Sequence, residues 1–134
     1  MKLIRSENTA VAQNVQRTVD RQAKEQVLRL AVRVIFEYWR DRMGKDARRT
    51  LLDDKRTARI LARLRENDGD VSELLHVIDG ALKDSWLMGT EANCQRRYDG
   101  LETIFRDRSQ VERLYGLVRN PEDRHPYLVE THGA

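Results

Sequence analysis

Three arginines near the middle of the chain have the side-chain type and spacing that suit contact with a phosphate backbone. Arg56, Arg59 and Arg63 recur at i, i+3 and i+7, and a helix would place them along one side. Each guanidinium can donate two N–H groups to one phosphate, and each neutralised phosphate releases counterions. Five further cations complete the predicted site: Arg48, Arg49, Lys55, Arg96 and Arg97. We therefore expect binding to the DNA backbone that tolerates many base sequences.

The charge of the chain is concentrated around these arginines. The whole chain has a formal net charge of +3. The span from Arg40 to Arg65 holds ten Lys or Arg and four Asp or Glu, which gives about +6 there and about −3 elsewhere. A basic face on a nearly neutral protein suits a polyanion, most often nucleic acid. The alternative is that the arginines only keep the helices solvated.

Patterns for catalysis or metal binding are weak. Cys94 is the single cysteine, which excludes an internal disulfide and fits a reducing compartment. The three histidines lack a partner at a metal-ligand spacing, and His76 is expected to be a half-buried or surface residue. The adjacent carboxylates Asp53 and Asp54 suit a helix cap better than a metal pair, and the isolated glycines form no phosphate-binding loop. We expect no enzyme activity, no metal and no cofactor.

Composition predicts the fold class. Hydrophobic residues make up 40% and charged residues 35% of the chain, with only two prolines and seven glycines. This balance favours an all-α protein with broad solvated faces. No apolar run approaches the ~20 residues of a membrane span, and the first ten residues lack the apolar region of a signal peptide. We expect a soluble cytoplasmic protein, in the host cytoplasm if the chain is viral.

The predicted site depends on a helix that ends near Arg42, with Gly44 as its C-cap. Residues 32–44 form its most hydrophobic part and are expected to bury the remaining elements. Four helices should follow: about 54–67 after an Asp53 or Asp54 cap, about 70–85 after an Asp70 cap, 99–106 after an Asp99 cap, and one from Ser109 to Asn120. Trp86 and Met88 are expected to close the core. The fold class is a compact bundle of five or six helices with a long N-terminal helix.

Three segments are predicted: an N-terminal helical arm at 1–26, a helical domain at 27–119 and a tail at 120–134. In the arm, Val11, Val15, Val19 and Ala23 recur every four residues, a step that drifts around a helix. The arm is expected to be exposed or to self-associate, as a homodimer through residues 9–40. A frayed terminus is the other interpretation.

Four segments of the chain, taken in order, resemble a known family. They read VIFEYWRDRMG, KRTARILARLREN, ELLHVIDGALKDSWLMG and RRYDGLETIFRDRSQVERLYGL. Together they cover about residues 30–118 and resemble the conserved C-terminal domain of bacteriophage replication proteins, which looks related to DnaD-like helicase-loading domains. Two departures are expected to matter: this sequence predicts a helical arm where the family often carries a winged-helix domain, and Thr90 follows Gly89 where the family often has Asn.

The resemblance implies a helical module that acts on single- or double-stranded DNA and on host replication partners. The expected function is that of a phage-type, helicase-loader-like replication accessory protein, which binds the DNA backbone non-specifically and engages a host or phage replication protein. The alternative is a protein–protein interaction module or an inhibitor of a host protein. That alternative would self-associate through the N-terminal helix without direct DNA binding.

Overall fold

The computed structural model describes the backbone of residues 2–128 and the side chains of residues 8–128. The helices are α1 (Lys2–Arg42), α2 (Asp54–Glu66), α3 (Val71–Leu82), α4 (Leu101–Ile104) and α5 (Arg108–Tyr115), and a sixth helical turn covers 126–128. The only β pairing in this part of the chain is an isolated bridge between Glu91 and Cys94. The all-α prediction with a long N-terminal helix is confirmed. Within the described residues, none of the helices has the length and apolarity needed to cross a bilayer.

The chain divides into two compact units, Met1–Leu30 and Ala31–Ala134, and α1 contributes to both. In the first unit, every described side chain from Asn8 to Val27 is exposed. Val11, Val15 and Val19 are 61%, 56% and 51% exposed. Self-association through this part of α1 stays a prediction, since no partner chain is present.

The core of the second unit forms around the last three turns of α1. Ile35, Phe36 and Trp39 are at most 3% exposed there. The residues that bury with them come from α2 to α5: Ile60, Leu64, Leu74, Leu75, Val77, Ile78, Ala81, Leu101, Ile104, Val111 and Leu114. Gly80 lets α3 and α5 approach closely, because a Cβ built at this position would lie 2.0 Å from the carbonyl oxygen of Leu114.

Helix starts show which local predictions hold. Asp53 and Asp70 cap α2 and α3 by accepting the amide N–H three residues on, as predicted. The predicted cap at Ser109 is wrong, because Asp107 caps α5 by accepting from the Gln110 amide. The predicted cap at Asp99 is also wrong: Gly100 precedes α4, and the Asp99 carboxylate instead accepts from Lys45 Nζ at 2.9 Å.

Two further expectations fail where sequence patterns are weak. Trp86 is 50% exposed, so it does not close the core; its neighbour Leu87 is buried instead, with its amide held by Asp84 Oδ1 at 2.9 Å. The predicted tail also packs in part, because His125 is 4% exposed and its backbone N–H donates to Ser72 Oγ on α3. Polar contacts rather than apolar periodicity place this segment. Residues 129–134 of the predicted tail lie outside the described residues.

Candidate nucleic-acid interface

A cleft of about 700 Å³ lies within the second unit, beside α2. Its walls come from the end of α1, the loop that follows it, the N-terminal part of α2 and the start of α4. Four cations and two carboxylates line it, together with uncharged residues: Lys45, Lys55, Arg56, Arg59, Asp53 and Glu102 are the charged ones. We call this surface the α2 cleft. Three of its cations belong to the predicted site.

The orientation of α2 follows from its amphipathic sequence. Ile60 and Leu64 are fully buried on one face, Lys55 lies on the opposite side of the helix, and Arg56 and Arg59 lie on the flank between the two. Asp53 fixes the start of the helix by accepting the Arg56 amide at 2.8 Å. The cap and the buried face together place Lys55, Arg56 and Arg59 on the wall of the α2 cleft.

Arg56 is held by three neighbours. Its Nη1 donates to the Leu51 carbonyl at 2.6 Å and lies 3.7 Å from Asp53 Oδ2. The guanidinium also lies 5.4 Å from the centroid of the Trp39 ring, within range of a cation–π contact. These contacts orient Arg56 while its side chain stays 33% exposed.

Lys55 and Arg59 keep uncompensated positive charge. In the described part of the chain, no carboxylate oxygen lies within 4.0 Å of a charged nitrogen of either side chain. Arg59 Nη1 donates to the Arg106 carbonyl at 3.1 Å, a neutral partner that positions the guanidinium without cancelling its charge. Both cations can therefore donate hydrogen bonds to an anionic oxygen without losing an existing ion pair.

Arg63 departs from the expected open surface. Its side chain is only 11% exposed, and its Nη2 pairs with Glu66 Oε1 at 2.9 Å. Its Nε and Nη1 are buried and meet no hydrogen-bond partner in the described part of the chain. The i, i+7 spacing predicts that Arg63 lies on the same side of α2 as Arg56. Arg63 is two turns closer to the C-terminal end of the helix, however, and there the neighbouring elements cover its side chain. The expectation that all three arginines lie open along one side is wrong for Arg63.

The remaining predicted cations occupy two places outside the lining of the cleft. Arg48 and Arg49 are exposed in the turn before Thr50, which does line it, and Arg49 lies 4.0 Å from Asp46. Arg97 lies 2.6 Å from the buried carboxylate of Asp99, an ion pair without hydrogen-bond alignment. Arg96 stays exposed. Phosphate contact by any of the eight cations stays a prediction.

Trp86 and Tyr98 form an exposed aromatic pair that the sequence predicts only in part. The rings of Trp86 and Tyr98 stack with centroids 6.1 Å apart and planes 7° apart, and the Arg96 guanidinium lies 5.5 Å from the Tyr98 centroid. Trp86 is 50% and Tyr98 37% exposed. From the sequence, Tyr98 beside Arg96 and Arg97 is predicted as the one aromatic residue for base stacking, with a core position as the alternative, and Trp86 is assigned to the core.

A second polar group, which sequence reasoning missed, is buried in the same unit. His76, Asp79 and His125 come together there, and we call them the histidine cluster. The hydroxyl of Tyr38 donates to Asp79 Oδ1 at 2.5 Å. Burial, and then this contact with Asp79, raise the pKa of Tyr38 well above its ordinary value. The i, i+3 spacing of His76 and Asp79 was the one available signal, and His125 was placed in the tail.

Comparison of the chain with protein family models, with curated proteins and with solved structures found no match. The resemblance to phage replication proteins therefore stays a prediction. Chemically, the α2 cleft offers fixed cationic donors to an anion, and the histidine cluster offers two imidazoles and a carboxylate to a cation or a proton.

Proposed function

We propose that the second unit binds the backbone of DNA through the α2 cleft, as a phage-type replication accessory protein that engages a replication partner. The observation that carries the DNA contact is the convergence of Lys55, Arg56 and Arg59 on one concave surface. Lys55 and Arg59 meet no carboxylate at ion-pair distance within the described residues. The replication role rests on the resemblance of residues 30–118.

Binding of this kind is electrostatic and tolerates many sequences. Backbone carbonyls and a ring face aim Arg56 and Arg59, which suits these two cations to phosphate oxygens rather than to base edges. Three phosphate contacts on a duplex give a slope of log affinity against log salt of about −3. This is shallower than eight independent cations would give, since Arg63 and Arg97 are engaged by the protein's own carboxylates.

The test is a charge-removing triple variant, Lys55→Gln, Arg56→Gln and Arg59→Gln. Because each contact contributes about −0.9 to the salt slope, we expect the slope to fall close to zero and the affinity at low salt to drop by about tenfold or more. Fluorescence anisotropy with one duplex at several salt concentrations measures both quantities. Circular dichroism checks that helicity is kept.

A matched control removes the same charge elsewhere. Arg17, Arg21 and Arg29 are exposed residues of the first unit, and replacing all three by Gln also lowers the net charge by three. This control should retain most of the affinity and the slope of the unmodified chain. An equal loss in both triple variants would show that net charge, rather than the α2 cleft, governs binding, and no loss in either would remove the proposal.

Self-association through α1 is the second candidate function. Val11, Val15 and Val19 are more than half exposed, and a helix without packed apolar contacts is marginal in water. A second copy of the chain would bury these side chains. Removing residues 1–25 should lower the molar mass measured by light scattering while leaving the salt slope of DNA binding unchanged. Monomeric mass before and after the removal contradicts this candidate.

A further inference from the structure

The histidine cluster brings together three side chains from two distant parts of the sequence. His76 and Asp79 lie one turn apart on α3 and therefore on one side of the helix, whereas His125 follows α5. One ring nitrogen of each histidine and one Asp79 oxygen all lie within 4.8 Å of one another. His76 and His125 are 5% and 4% exposed, so the two imidazoles are shielded from bulk water, whereas the Asp79 side chain is 23% exposed.

His76 has the hydrogen-bonding state of a metal ligand. Its Nε2 lies 2.8 Å from the backbone carbonyl of Asp123, which can only accept, so Nε2 carries the proton and donates it. In the neutral ring, Nδ1 then holds a lone pair. That atom is buried and has no hydrogen-bond partner among the residues that the structure describes. Metal-ligating histidines usually donate their other N–H to a carbonyl or carboxylate in this way, which fixes the tautomer and aims the free nitrogen.

Asp79 and His125 meet each other directly. His125 Nε2 lies 2.6 Å from Asp79 Oδ2, and the Tyr38 hydroxyl lies 3.2 Å from the same nitrogen. The Tyr127 amide donates to His125 Nδ1, so the proton of the neutral ring sits on Nε2 and is shared with Asp79. An ion bound at Nε2 would require this proton to move to Nδ1. It would break the Tyr127 contact and replace the His125–Asp79 hydrogen bond by two bonds to the metal.

We propose that His76, Asp79 and His125 bind a divalent transition-metal ion, with Zn²⁺ as the best match. Two imidazole nitrogens and one carboxylate oxygen are a donor set that suits Zn²⁺, whereas Mg²⁺ and Ca²⁺ prefer oxygen ligands alone. Tyr38 orients the carboxylate from the second coordination sphere by donating to Asp79 Oδ1. The fourth position is left to water or an external ligand. Bound ion would tie the segment that carries His125 to α3.

The direct test is titration of the full-length, chelator-treated protein with Co²⁺ and with Zn²⁺. We expect Co²⁺ to give the visible absorption of a low-coordinate nitrogen–oxygen site, without the charge-transfer band that ligation by Cys94 would produce. Zn²⁺ should displace it with one-to-one stoichiometry and raise the melting temperature with concentration. Mg²⁺ at the same concentrations should do neither. Absence of Co²⁺ absorption and of a Zn²⁺-dependent melting shift in the unmodified protein overturns the proposal.

The variant that separates a metal site from adventitious binding is His76→Leu. It removes the unpartnered nitrogen and loses one hydrogen bond, to Asp123, so the metal-free domain should keep its circular dichroism spectrum. We expect the Co²⁺ absorption and the Zn²⁺-dependent melting shift to disappear. Asp79→Asn, which keeps the side-chain shape, should weaken Zn²⁺ binding at least tenfold and provides a second variant if His76→Leu does not fold.

Asp41→Asn is the matched control, since Asp41 is an exposed carboxylate at the end of the same α1 helix that supplies Tyr38. Its Zn²⁺ affinity should equal that of the unmodified chain. Unchanged Zn²⁺ binding in both cluster variants places the ion elsewhere and refutes the site. The result is independent of the α2 cleft, because none of the three ligands lines it.

Discussion

The α2 cleft and the histidine cluster belong to the same helical unit but handle polar groups in opposite ways. In the cleft, Lys55 is exposed and Arg59 half-buried, and neither forms an ion pair with a described carboxylate. In the cluster, His76 and His125 are withdrawn from water, and nearly every polar atom has a partner within the protein. The cleft is therefore arranged for an external ligand at little cost in folding free energy, whereas the cluster contributes to the fold itself.

This difference follows from the local dielectric environment. Exposed ion pairs contribute about 0–1 kcal/mol each, so losing a cation from the cleft should hardly change stability. A buried polar group that loses its partner costs about 1–3 kcal/mol. Variants in the two regions should therefore separate stability from DNA affinity, and three measurements test that separation.

The largest effect is expected from Asp79→Ala in the histidine cluster. The change removes the carboxylate that accepts hydrogen bonds from Tyr38 and His125. It also removes the ion pair between Asp79 Oδ1 and Nε of the exposed Arg42, which are 3.6 Å apart. The free energy of unfolding should therefore fall by about 2–3 kcal/mol. Urea denaturation at neutral pH, without added metal, measures it. Asp41→Ala should change stability by less than about 0.5 kcal/mol. The contrast between the histidine cluster and the α2 cleft is contradicted if Asp79→Ala and Asp41→Ala unfold at the same urea midpoint. It is also contradicted if Asp79→Ala abolishes the salt slope of DNA binding.

A smaller effect should distinguish two arginines of the same helix. Arg59→Gln removes an unpaired cation from the α2 cleft and should weaken DNA binding by a few fold, with a salt slope shallower by about 1. Arg63→Gln removes a covered, paired guanidinium and should leave the slope unchanged while lowering stability. Anisotropy and urea denaturation of both variants measure this exchange of roles. Equal slopes in the two variants would show that Arg63 still reaches the DNA.

The smallest effect is a pH dependence that belongs to the helix packing and not to the cleft. Burial alone would raise the pKa of Glu73, but hydrogen bonds from Arg108 and Asn67 outweigh it and hold the pKa below its ordinary value. Since the folded state lowers this pKa, the contact stabilises the domain above the ordinary carboxyl value of about 4.3, and the contribution is lost as pH falls through the folded value. Denaturation between about pH 2 and 7 measures the loss, and Glu73→Gln should flatten the curve.

If stability depends on pH in the same way for the unmodified chain and for Glu73→Gln, the acid sensitivity belongs to other carboxylates. Asp84 is one candidate, because its pKa is also lowered in the folded state. The Leu87 amide and Arg113 outweigh burial and lower the pKa of Asp84.

The predictability of the fold follows the range of the interactions. Amphipathic spacing within one turn or two is enough to predict α2 and α3. The cap at Asp70 and the pair of candidates Asp53 and Asp54, of which Asp53 is the cap, are predictable because the cap contact spans three residues. The caps at Asp99 and Ser109 failed because more than one residue near each helix start could serve. The choice between them depends on contacts made from elsewhere, such as Lys45 on Asp99.

The candidate site divides in the same way. Lys55, Arg56 and Arg59 could be selected from a local run of charge, and they do line one cleft. The burial of Arg63 could not be predicted from the sequence, because it depends on elements that pack over α2. The histidine cluster was further out of reach, since His125 joins α3 across 46 residues of sequence through polar contacts that leave no periodic pattern.

The two tryptophans of the chain sit in contrasting surroundings. Trp39 is 2% exposed and donates its Nε1–H to the Asp99 carbonyl at 2.8 Å, whereas Trp86 is half exposed and stacked on Tyr98. A water-soluble quencher such as iodide should therefore quench the fluorescence of Trp86 first, so that the remaining emission comes from the buried Trp39. The chain thus carries two intrinsic optical reporters, one for the loop surface and one for the core beside the cleft, without any added label.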